Sequence, residues 1–212
     1  MTNKSKKLKL AIIGLGYVGL PLAILLSSKN IIVNGYDVNK RIVEKINKQL
    51  IKFNEKNLNL LYKSNIVKKN FTAYNKITES DVYVIAVPTP LKQNKTADLS
   101  FVEKAFLDIS KILKKGDIII LESTCPVGTT EKFLKKLKKE RKDLIFPCNT
   151  LKKFDVNLAY CPERVLPGNT LKELISNKRL IGGVTKKCAN KAKKFYKIFV
   201  DGKCIITESK IA

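Results

Sequence analysis

The chain has 212 residues, of which 44% are hydrophobic, and this is enough for one large or two small domains around a substantial core. Its apolar runs are too short to span a bilayer, and its basic then apolar N-terminus has no small-residue cleavage site, so we expect a cytoplasmic protein with no membrane partner. The formal net charge of +24 favours a nucleic-acid partner, but only four of the 42 basic residues are arginine, and the lysines are scattered without interleaved aromatic residues. Because base-edge contacts favour arginine, we expect no nucleic-acid partner.

Short apolar segments alternate with longer segments of helical spacing along the whole chain. The apolar segments predict strands over residues 8–13, 31–36, 82–87, 117–121, 158–160, 180–184 and 204–207. The first four are rich in β-branched residues without clean alternation, which is typical of strands buried on both faces. The segments between them predict helices over residues 17–28, 40–49, 102–113, 130–140 and 186–199. This alternation predicts one α/β domain over residues 1–212, a doubly wound parallel sheet with right-handed crossovers.

The first strand is followed by a glycine-rich turn, IGLGYVGLP, in which Gly14, Gly16 and Gly19 have the spacing G-x-G-x-x-G. Gly14 allows a sharp exit from the strand, Gly16 lets a diphosphate approach the backbone, and Gly19 lets the helix lie close to the strand. The N-terminus of the following helix offers unpaired N–H groups and the positive end of its dipole to phosphates. The turn therefore predicts a dinucleotide site.

The second strand ends at Asp37, 18 residues beyond Gly19. A carboxylate at this place accepts hydrogen bonds from the adenosine ribose hydroxyls and repels a 2′-phosphate, which favours NAD over NADP. A Rossmann-type NAD-binding domain explains the turn and the acid together. The alternative is an ordinary glycine turn with a surface aspartate that caps the next helix.

Polar residues also follow the later strands, where the ligands of a doubly wound sheet gather. Thr89 follows the third predicted strand, and Ser123 and Thr124 follow the fourth, so their hydroxyls are candidates to donate to a cofactor ribose or a substrate. Glu163 and Arg164 follow the fifth strand, and a carboxylate there can activate a water or relay protons. The alternative for these last two residues is a surface ion pair.

The segment STCPVGTTE also has a purely structural interpretation. Thr129 or Thr130 is expected to cap the next helix, with Glu131 in its first turn. This interpretation does not account for Ser123 and Thr124 at the strand exit.

The sequence gives little support to metal or disulfide chemistry. The five cysteines have no CxxC or Cys/His ligand spacing, and the chain has no histidine. We therefore expect no metal site and no disulfide framework, and any proton transfer must use groups other than histidine.

Six separated blocks resemble the N-terminal part of one enzyme family. They are IGLGYVGLPLA, GYDVN, VIAVPTPL, LESTCPVGTTE, AYCPERVLPG and RLIGG, in family order. The family is that of the nucleotide-sugar dehydrogenases, the UDP-glucose/GDP-mannose dehydrogenase family. The resemblance implies an oxidoreductase that converts a sugar C6 alcohol to a carboxylate in two NAD-dependent steps, through a thioester on a cysteine.

The resemblance also implies roles for the residues that match these blocks. The implied cofactor-binding residues are Gly14, Gly16, Tyr17, Val18, Gly19, Asp37, Thr89 and Thr124. Thr124 would also contact the reaction centre, and Glu163 would serve the hydrolytic half-reaction. Glu163 and Arg164 would contact the substrate. Cys125 and Cys161 lie near the expected site but do not match the nucleophile position, so we expect packing roles for both.

The motif PERVLPG is similar to the branch of the family that acts on acetamido sugars. This implies UDP-N-acetylmannosamine as substrate and a uronate for surface polysaccharide synthesis as product. UDP-N-acetylglucosamine and UDP-glucose are the alternative substrates.

In the family, this part of the chain is followed by a central helix with a catalytic lysine and by a second α/β domain with the nucleophilic cysteine. Neither is found among residues 1–212. The central helix also forms the homodimer interface, so the implied homodimer belongs to the full-length family member. The alternative function is therefore that of a truncated, non-catalytic NAD-binding module.

Overall fold

The computed structural model describes residues 8–166 and 168–212, and eight strands in this part of the chain form one sheet. The basic residues 1–7 and Pro167 of the PERVLPG motif lie outside the described residues. The strands are β1 (Lys9–Ile13), β2 (Ile32–Tyr36), β3 (Phe71–Tyr74), β4 (Val82–Ile85), β5 (Ile118–Leu121), β6 (Asn157–Tyr160), β7 (Arg179–Gly183) and β8 (Cys204–Glu208). The helices are α1 (Gly19–Ser28), α2 (Lys40–Asn47), α3 (Lys56–Tyr62), α4 (Asn65–Asn70), α5 (Ser100–Ser110), α6 (Thr129–Glu140), α7 (Thr170–Ser176) and α8 (Lys186–Tyr196).

The strand order is β3-β2-β1-β4-β5-β6-β7-β8, and β1 to β6 are parallel. The first six strands have the order of a doubly wound Rossmann-type fold, so the predicted fold class is confirmed. The last two strands depart from the predicted parallel arrangement, because β7 pairs antiparallel with β6 and β8 pairs parallel with β7. The helix in the connection between β6 and β7, α7, has only seven residues. The strand β7 begins near the C-terminal end of β6 and runs back along it.

Strand residues alternate between two hydrophobic cores, one on each face of the sheet. Leu10 and Ile12 of β1 belong to the core that includes α1 and α8, whereas Ala11 and Ile13 belong to the core that includes α5 and α6. The strands β1, β4 and β5 are buried on both faces, as predicted. The same prediction is wrong for β2, whose alternate residues are only partly buried because it lies near the edge of the sheet.

The helices α3, α4 and α7 have no counterpart in the sequence prediction, and neither has the strand β3. Their role is visible at α1, whose sequence GLPLAILLSS has no charged residue and whose residues 19–27 are all buried. The helices α3, α4 and α7 contact α1 and cover it. A helix that is hydrophobic all round requires such cover. Within the described ranges, none of the helices has the length and apolar content needed to cross a bilayer.

Candidate cofactor site

A cleft of about 470 Å³ opens at the C-terminal ends of β1, β2, β4 and β5. The predicted site residues that line it are Gly14, Gly16, Tyr17, Val18, Asp37, Thr89, Thr124 and Glu163. Two predicted residues do not line it. Gly19 lies in the first turn of α1, and Arg164 is exposed and lines an adjoining surface pocket that also includes Glu163. Because Glu163 follows β6, the fold brings residues from five strand ends into one crevice.

The glycine turn has the shape that its spacing predicts. Gly14 has a φ of +92°, and its N–H donates to the Tyr36 carbonyl at 2.8 Å. A Cβ on Gly14 would lie 2.6 Å from the Ala86 carbonyl oxygen, and a Cβ on Gly19 would clash with the Gly14 carbonyl oxygen. A Cβ on Gly16 would meet no atom within 4 Å, so the backbone at Gly16 is open to the cleft. An open backbone at the start of a helix fits a diphosphate.

The Asp37 carboxylate lies beside the glycine turn. Its Oδ2 accepts from the Leu15 N–H at 3.0 Å, and its Oδ1 accepts from the Asn39 N–H at 2.8 Å. A carboxylate has about four lone-pair positions, so both oxygens keep capacity for ribose hydroxyls. The N-cap of α2 is Asn39, whose Oδ1 accepts from the N–H groups of Arg41 and Ile42 at 3.0 and 3.3 Å. The alternative in which Asp37 caps this helix is therefore wrong.

A further wall of the cleft comes from α5, which no sequence motif marked. Phe101 and Asp108 of α5 line the cleft together with Val38 and Tyr36. Phe101 and Val38 are both exposed, so they offer apolar surface to a planar base. Burial raises the pKa of Tyr36, and the charges of Asp108 and Asp37 raise it further, so this tyrosine stays neutral.

The exits of β4 and β5 are joined by side-chain hydrogen bonds. Thr89 Oγ1 donates to the Thr124 carbonyl at 2.8 Å, and Ser123 Oγ donates to the Val87 carbonyl at 2.8 Å. Ser123 is buried, and its hydroxyl is engaged by the neighbouring strand exit, whereas Thr124 is exposed in the cleft. Thr124 is therefore the best placed of the three for a ligand, whereas the Thr89 hydroxyl, which donates to the Thr124 carbonyl, can only accept from one.

The N-terminus of α6 differs from the prediction. Its N-cap is Gly128, which has a φ of +86° and makes no side-chain cap bond. Thr129 is the first helical residue, and its Oγ1 donates to the Pro126 carbonyl at 2.6 Å. A cap by Thr129 or Thr130 is therefore wrong, because the left-handed backbone at the cap position favours glycine. Glu131 lies in the first turn, as predicted.

Glu163 is held by an arginine from β7. Tyr160 of β6 pairs antiparallel with Gly182 of β7, so the first residues of β7, with Arg179, lie near the segment after β6 that carries Glu163. The Arg179 guanidinium forms an ion pair with Glu163, and the two side chains are 2% and 3% exposed. Arg164 is exposed, and its backbone N–H donates to Glu163 Oε1 at 2.8 Å. The alternative of a surface Glu163–Arg164 ion pair is therefore wrong.

Sequence reasoning missed a second buried carboxyl group at this end of the cleft. Glu122 directly follows β5, is 3% exposed and lines the cleft. Its Oε1 accepts from the Tyr196 hydroxyl at 2.6 Å, whereas its Oε2 has no hydrogen-bond partner in the part of the chain that the structure describes. Burial raises the pKa of Glu122, and the charge of Arg179 and the Tyr196 hydrogen bond oppose this shift. Its place at the strand exit, directly before Ser123, is the signal that could have found it.

Neither cysteine near the cleft is prepared to act as a nucleophile. Burial raises the pKa of Cys125 to about 11. Burial and the nearby charge of Glu122 raise the pKa of Cys161 to about 12. Cys161 is fully buried and Cys125 partly buried against the core, which agrees with the predicted packing roles. Among the described residues, no three His, Cys, Asp or Glu side chains are grouped so that they could hold a metal ion.

The helix α7 supports the part of the cleft formed by Tyr17. The Tyr17 hydroxyl lies 3.2 Å from the Thr170 hydroxyl. The Glu55 carboxylate, which precedes α3, accepts from the N–H groups of Thr170 and Leu171 at 2.8 and 3.2 Å. Burial acts to raise the pKa of Glu55, but the hydrogen bonds from Thr170 and Leu171 outweigh burial and lower the pKa. Glu55 thus fixes α7 behind Tyr17.

Comparison with known proteins gives one consistent result. A family model described as the NAD-binding domain of the UDP-glucose/GDP-mannose dehydrogenase family matches residues 8–200. The chain is 47% identical over 205 residues to the UDP-N-acetyl-D-mannosamine dehydrogenase of Campylobacter jejuni, with 96% of this chain and 50% of the relative covered. It is 42% identical over 203 residues to the NDP-N-acetyl-D-galactosaminuronic acid dehydrogenase of Ralstonia nicotianae, with 96% and 48% covered.

Solved structures resemble the fold over the same span. The UDP-N-acetyl-mannosamine dehydrogenase of Staphylococcus aureus superposes with a TM-score of 0.87 at 37% sequence identity, covering 96% of this chain and 48% of that structure. A UDP-D-ManNAc dehydrogenase from Pyrococcus horikoshii gives a TM-score of 0.87 at 35% identity, with the same coverage of 96% and 48%. The chain spans about half the length of the relatives that it matches.

Proposed function

Because the chain belongs to the UDP-glucose/GDP-mannose dehydrogenase family through its NAD-binding domain, we propose that it is the cofactor-binding half of a UDP-sugar 6-dehydrogenase. The reaction is the NAD-dependent oxidation of the C6 alcohol of UDP-N-acetylmannosamine to the uronate, in the cytoplasm, for surface polysaccharide synthesis. The names of the relatives at 47% and 42% identity support an N-acetylated sugar. UDP-N-acetylglucosamine and UDP-glucose are the alternative substrates.

The observation that carries this proposal is the meeting of the open glycine turn and the Asp37 carboxylate in one cleft. The backbone at Gly16 is open to the diphosphate of NAD, and Tyr17 and Val18 line the same turn. The Asp37 carboxylate accepts a hydrogen bond from the Leu15 N–H of that turn, and it also accepts hydrogen bonds from the hydroxyls of the adenosine ribose. Gly19 lies outside the cleft lining, and its lack of a side chain lets α1 pack against the Gly14 carbonyl.

The catalytic end of the cleft lies at the exits of β4, β5 and β6. Thr89 and Thr124 would contact the nicotinamide half of NAD, and NAD would supply the acceptor for a hydride from C6 of the sugar. Glu163 accepts a proton from the water that hydrolyses the thioester, and Arg179 fixes its carboxylate in place. Arg164, exposed beside Glu163, contacts the substrate.

The rest of the active site is proposed to come from the half of the relatives that residues 1–212 do not match. That half supplies the nucleophilic cysteine, the catalytic lysine and most of the sugar-nucleotide site. This division agrees with the raised pKa values of Cys125 and Cys161, whose thiols stay protonated. A homodimer is proposed for the full-length family member and not for this chain.

A second candidate function is a non-catalytic NAD-binding module. It is favoured by the raised pKa values of Cys125 and Cys161, because neither of these cysteines near the cleft supplies a thiolate nucleophile. In that case the chain binds NAD but contributes to no turnover with any UDP-sugar.

The experiment that tests the main proposal is a chimera. Residues 1–212 are joined to the unmatched C-terminal half of the Campylobacter jejuni relative, and NADH formation is measured with UDP-N-acetylmannosamine. We expect NADH with this sugar, and a rate at least about tenfold lower at limiting NAD in the matched Asp37→Asn chimera. A folded chimera that binds NAD without any turnover would instead favour the non-catalytic module.

A further inference from the structure

Two carboxyl groups and one guanidinium are buried together at the inner end of the cleft. Arg179 forms its ion pair with Glu163, so the charge of Glu163 is balanced locally. Glu122 is equally buried and lines the same cleft, but it has no ion pair among the described residues. Its Oε2 has no hydrogen-bond partner in the described part of the chain. A buried carboxylate without a matching cation is costly, so Glu122 is ready to receive one.

We propose that Glu122 makes the cleft selective for the oxidised form of the cofactor, because its carboxylate stabilises the positive charge that the nicotinamide ring carries in NAD⁺ and lacks in NADH. The inference rests on the proposed function, which assigns the adenosine half of NAD to Asp37. In the strand order β2-β1-β4-β5, Asp37 and Glu122 follow the two outer strands, so the nicotinamide half extends toward Glu122. Because Glu122 is 3% exposed, its charge interacts with a neighbouring charge more strongly than it would in water.

The charged and titratable groups that face Glu122 come from three elements. They are Tyr196 of α8, Arg179 of β7, and Cys161 and Glu163 after β6. Burial raises the pKa of Tyr196 well above its ordinary value and raises that of Cys161 to about 12, so both stay protonated at neutral pH. Glu163 already has its counter-ion in Arg179. Of these groups, Glu122 is therefore the one whose protonation state should change most when a cationic ring binds.

The proposal has a consequence for the pH dependence of binding. Burial raises the pKa of Glu122, so in the free protein its carboxyl group keeps a proton to higher pH than an ordinary glutamate does. Binding of NAD⁺ releases that proton to solvent, whereas binding of NADH does not. The affinity for NAD⁺ therefore rises with pH until Glu122 is ionised in the free protein, and the affinity for NADH lacks this component.

The test is a calorimetric titration of NAD⁺ and NADH into the 212-residue chain and its Glu122→Gln variant, from about pH 5 to pH 9. In the unaltered chain, the ratio of the NADH Kd to the NAD⁺ Kd should rise about tenfold with pH. In Glu122→Gln, whose amide oxygen can still accept from Tyr196, the ratio should be flat. NAD⁺ binding should weaken about tenfold, and NADH binding should change by less than about twofold.

Tyr196→Phe provides a second variant that leaves the cleft lining intact. The Tyr196 hydrogen bond stabilises the Glu122 carboxylate, so its loss should move the rise in the ratio to higher pH. A merely structural role for Glu122 predicts equal weakening of NAD⁺ and NADH in Glu122→Gln, and that result would overturn the inference. A pH-dependent ratio that persists in Glu122→Gln would overturn it as well.

The Asp37→Asn variant separates this inference from the proposed function. It should weaken NAD⁺ and NADH by the same factor, because the adenosine half is identical in both. If Asp37→Asn has this effect while Glu122→Gln leaves the ratio unchanged, the inference alone fails. If neither nucleotide binds the unaltered chain, the cofactor assignment fails and the inference fails with it.

Discussion

The glycines of the turn differ in the space available for a side chain. Substitutions at these positions can therefore separate an effect on folding from an effect on cofactor binding. A side chain at Gly14 or Gly19 would meet backbone atoms, whereas a side chain at Gly16 would enter open space. Gly16 also has no positive φ, so its backbone tolerates alanine. The two kinds of position therefore form a matched pair of variants within one turn.

Gly16→Ala should leave the fold intact and impair cofactor binding. The added methyl group occupies the side from which a diphosphate approaches, so NAD affinity should fall more than about tenfold while the Tm changes by less than about 2 °C. Gly19→Ala is the contrasting variant, and the clash with the Gly14 carbonyl should lower the free energy of unfolding by about 2–4 kcal/mol. Calorimetry and thermal denaturation measure both effects. Unaltered NAD affinity in Gly16→Ala would contradict the assignment of the turn.

Arg179→Met should be strongly destabilising, because it leaves the buried Glu163 carboxylate without its cation. Removal of one partner of a buried ion pair typically costs about 3–5 kcal/mol, whereas replacement of both partners by apolar residues costs far less. We therefore expect the double variant Arg179→Met/Glu163→Leu to unfold at a higher urea concentration than Arg179→Met alone. Losses that simply add in the double variant would show that the two side chains do not depend on each other.

The residues that the sequence could bring together in one cleft lie close to one another along the chain. Gly14, Gly16 and Asp37 could be expected to meet because the spacing from turn to acid reflects one strand-helix-strand unit. Glu122 and Tyr196 could not be paired, since 74 positions separate them and no spacing rule links them. The sequence offered only its neighbour Arg164 as an alternative ion-pair partner for Glu163, because no spacing rule predicts the antiparallel β7 that carries Arg179.

At the scale of elements, the short helix α7 depends on a contact from a distant loop. Glu55 accepts the first N–H groups of α7, and Thr170 meets the Tyr17 hydroxyl at the cleft. A seven-residue helix has little stability of its own, so most of its order comes from such contacts. Glu55 therefore connects α3 and α7, which pack on α1, to the Tyr17 side of the cleft.

Glu55→Gln should loosen α7 and lower the free energy of unfolding by about 1.5–3 kcal/mol at pH 7, because hydrogen bonds to a charged acceptor are lost. The pKa of Glu55 is lowered from its ordinary value of 4.5, so this stabilisation is present above that pH and is lost as the pH falls through the lowered folded-state pKa. Urea unfolding at pH 7 and at about pH 3 should thus show the difference between variant and unaltered chain shrinking in acid. A difference that stays constant with pH would contradict this role for the carboxylate.

The sequence predicts an element best where the element is buried, because burial requires a run of apolar residues. The apolar runs of β1, β4 and β5 are buried on both faces, and their composition revealed them. The strand β3 escaped prediction because it is four residues long at the sheet edge, with alternate residues exposed. The helices α3, α4 and α7 have only six or seven residues each, too few for a helical period to be recognised.

At the scale of the whole molecule, the position of the cleft follows from the order in which the sheet is built. The chain moves outward from β1 to β3 and then returns to place β4 on the other side of β1. The helix α1 therefore packs on one face of the sheet and α5 on the opposite face. A crevice opens between them at the strand ends, where parallel α/β sheets bind their ligands. The glycine turn, Asp37 and α5 all meet at this point.

The net charge of +24 is a further property of the whole molecule. Such a charge attracts any polyphosphate from a distance, so binding of a nucleotide does not by itself prove a specific site. Discrimination between two nucleotides of different charge is more informative. NADP carries an additional phosphate on the adenosine ribose, and general attraction to a basic protein would favour it over NAD.

The most direct test is therefore a calorimetric comparison of NAD⁺ and NADP⁺ binding to the unaltered chain and to Asp37→Asn at physiological ionic strength. The Asp37 carboxylate should hold the ribose hydroxyls of NAD⁺ and repel the 2′-phosphate of NADP⁺, so NAD⁺ should bind at least about tenfold more tightly. Asp37→Asn should weaken NAD⁺ binding and remove that preference. NADP⁺ binding as tightly as NAD⁺ in the unaltered chain, or a preference that survives in Asp37→Asn, would contradict the account.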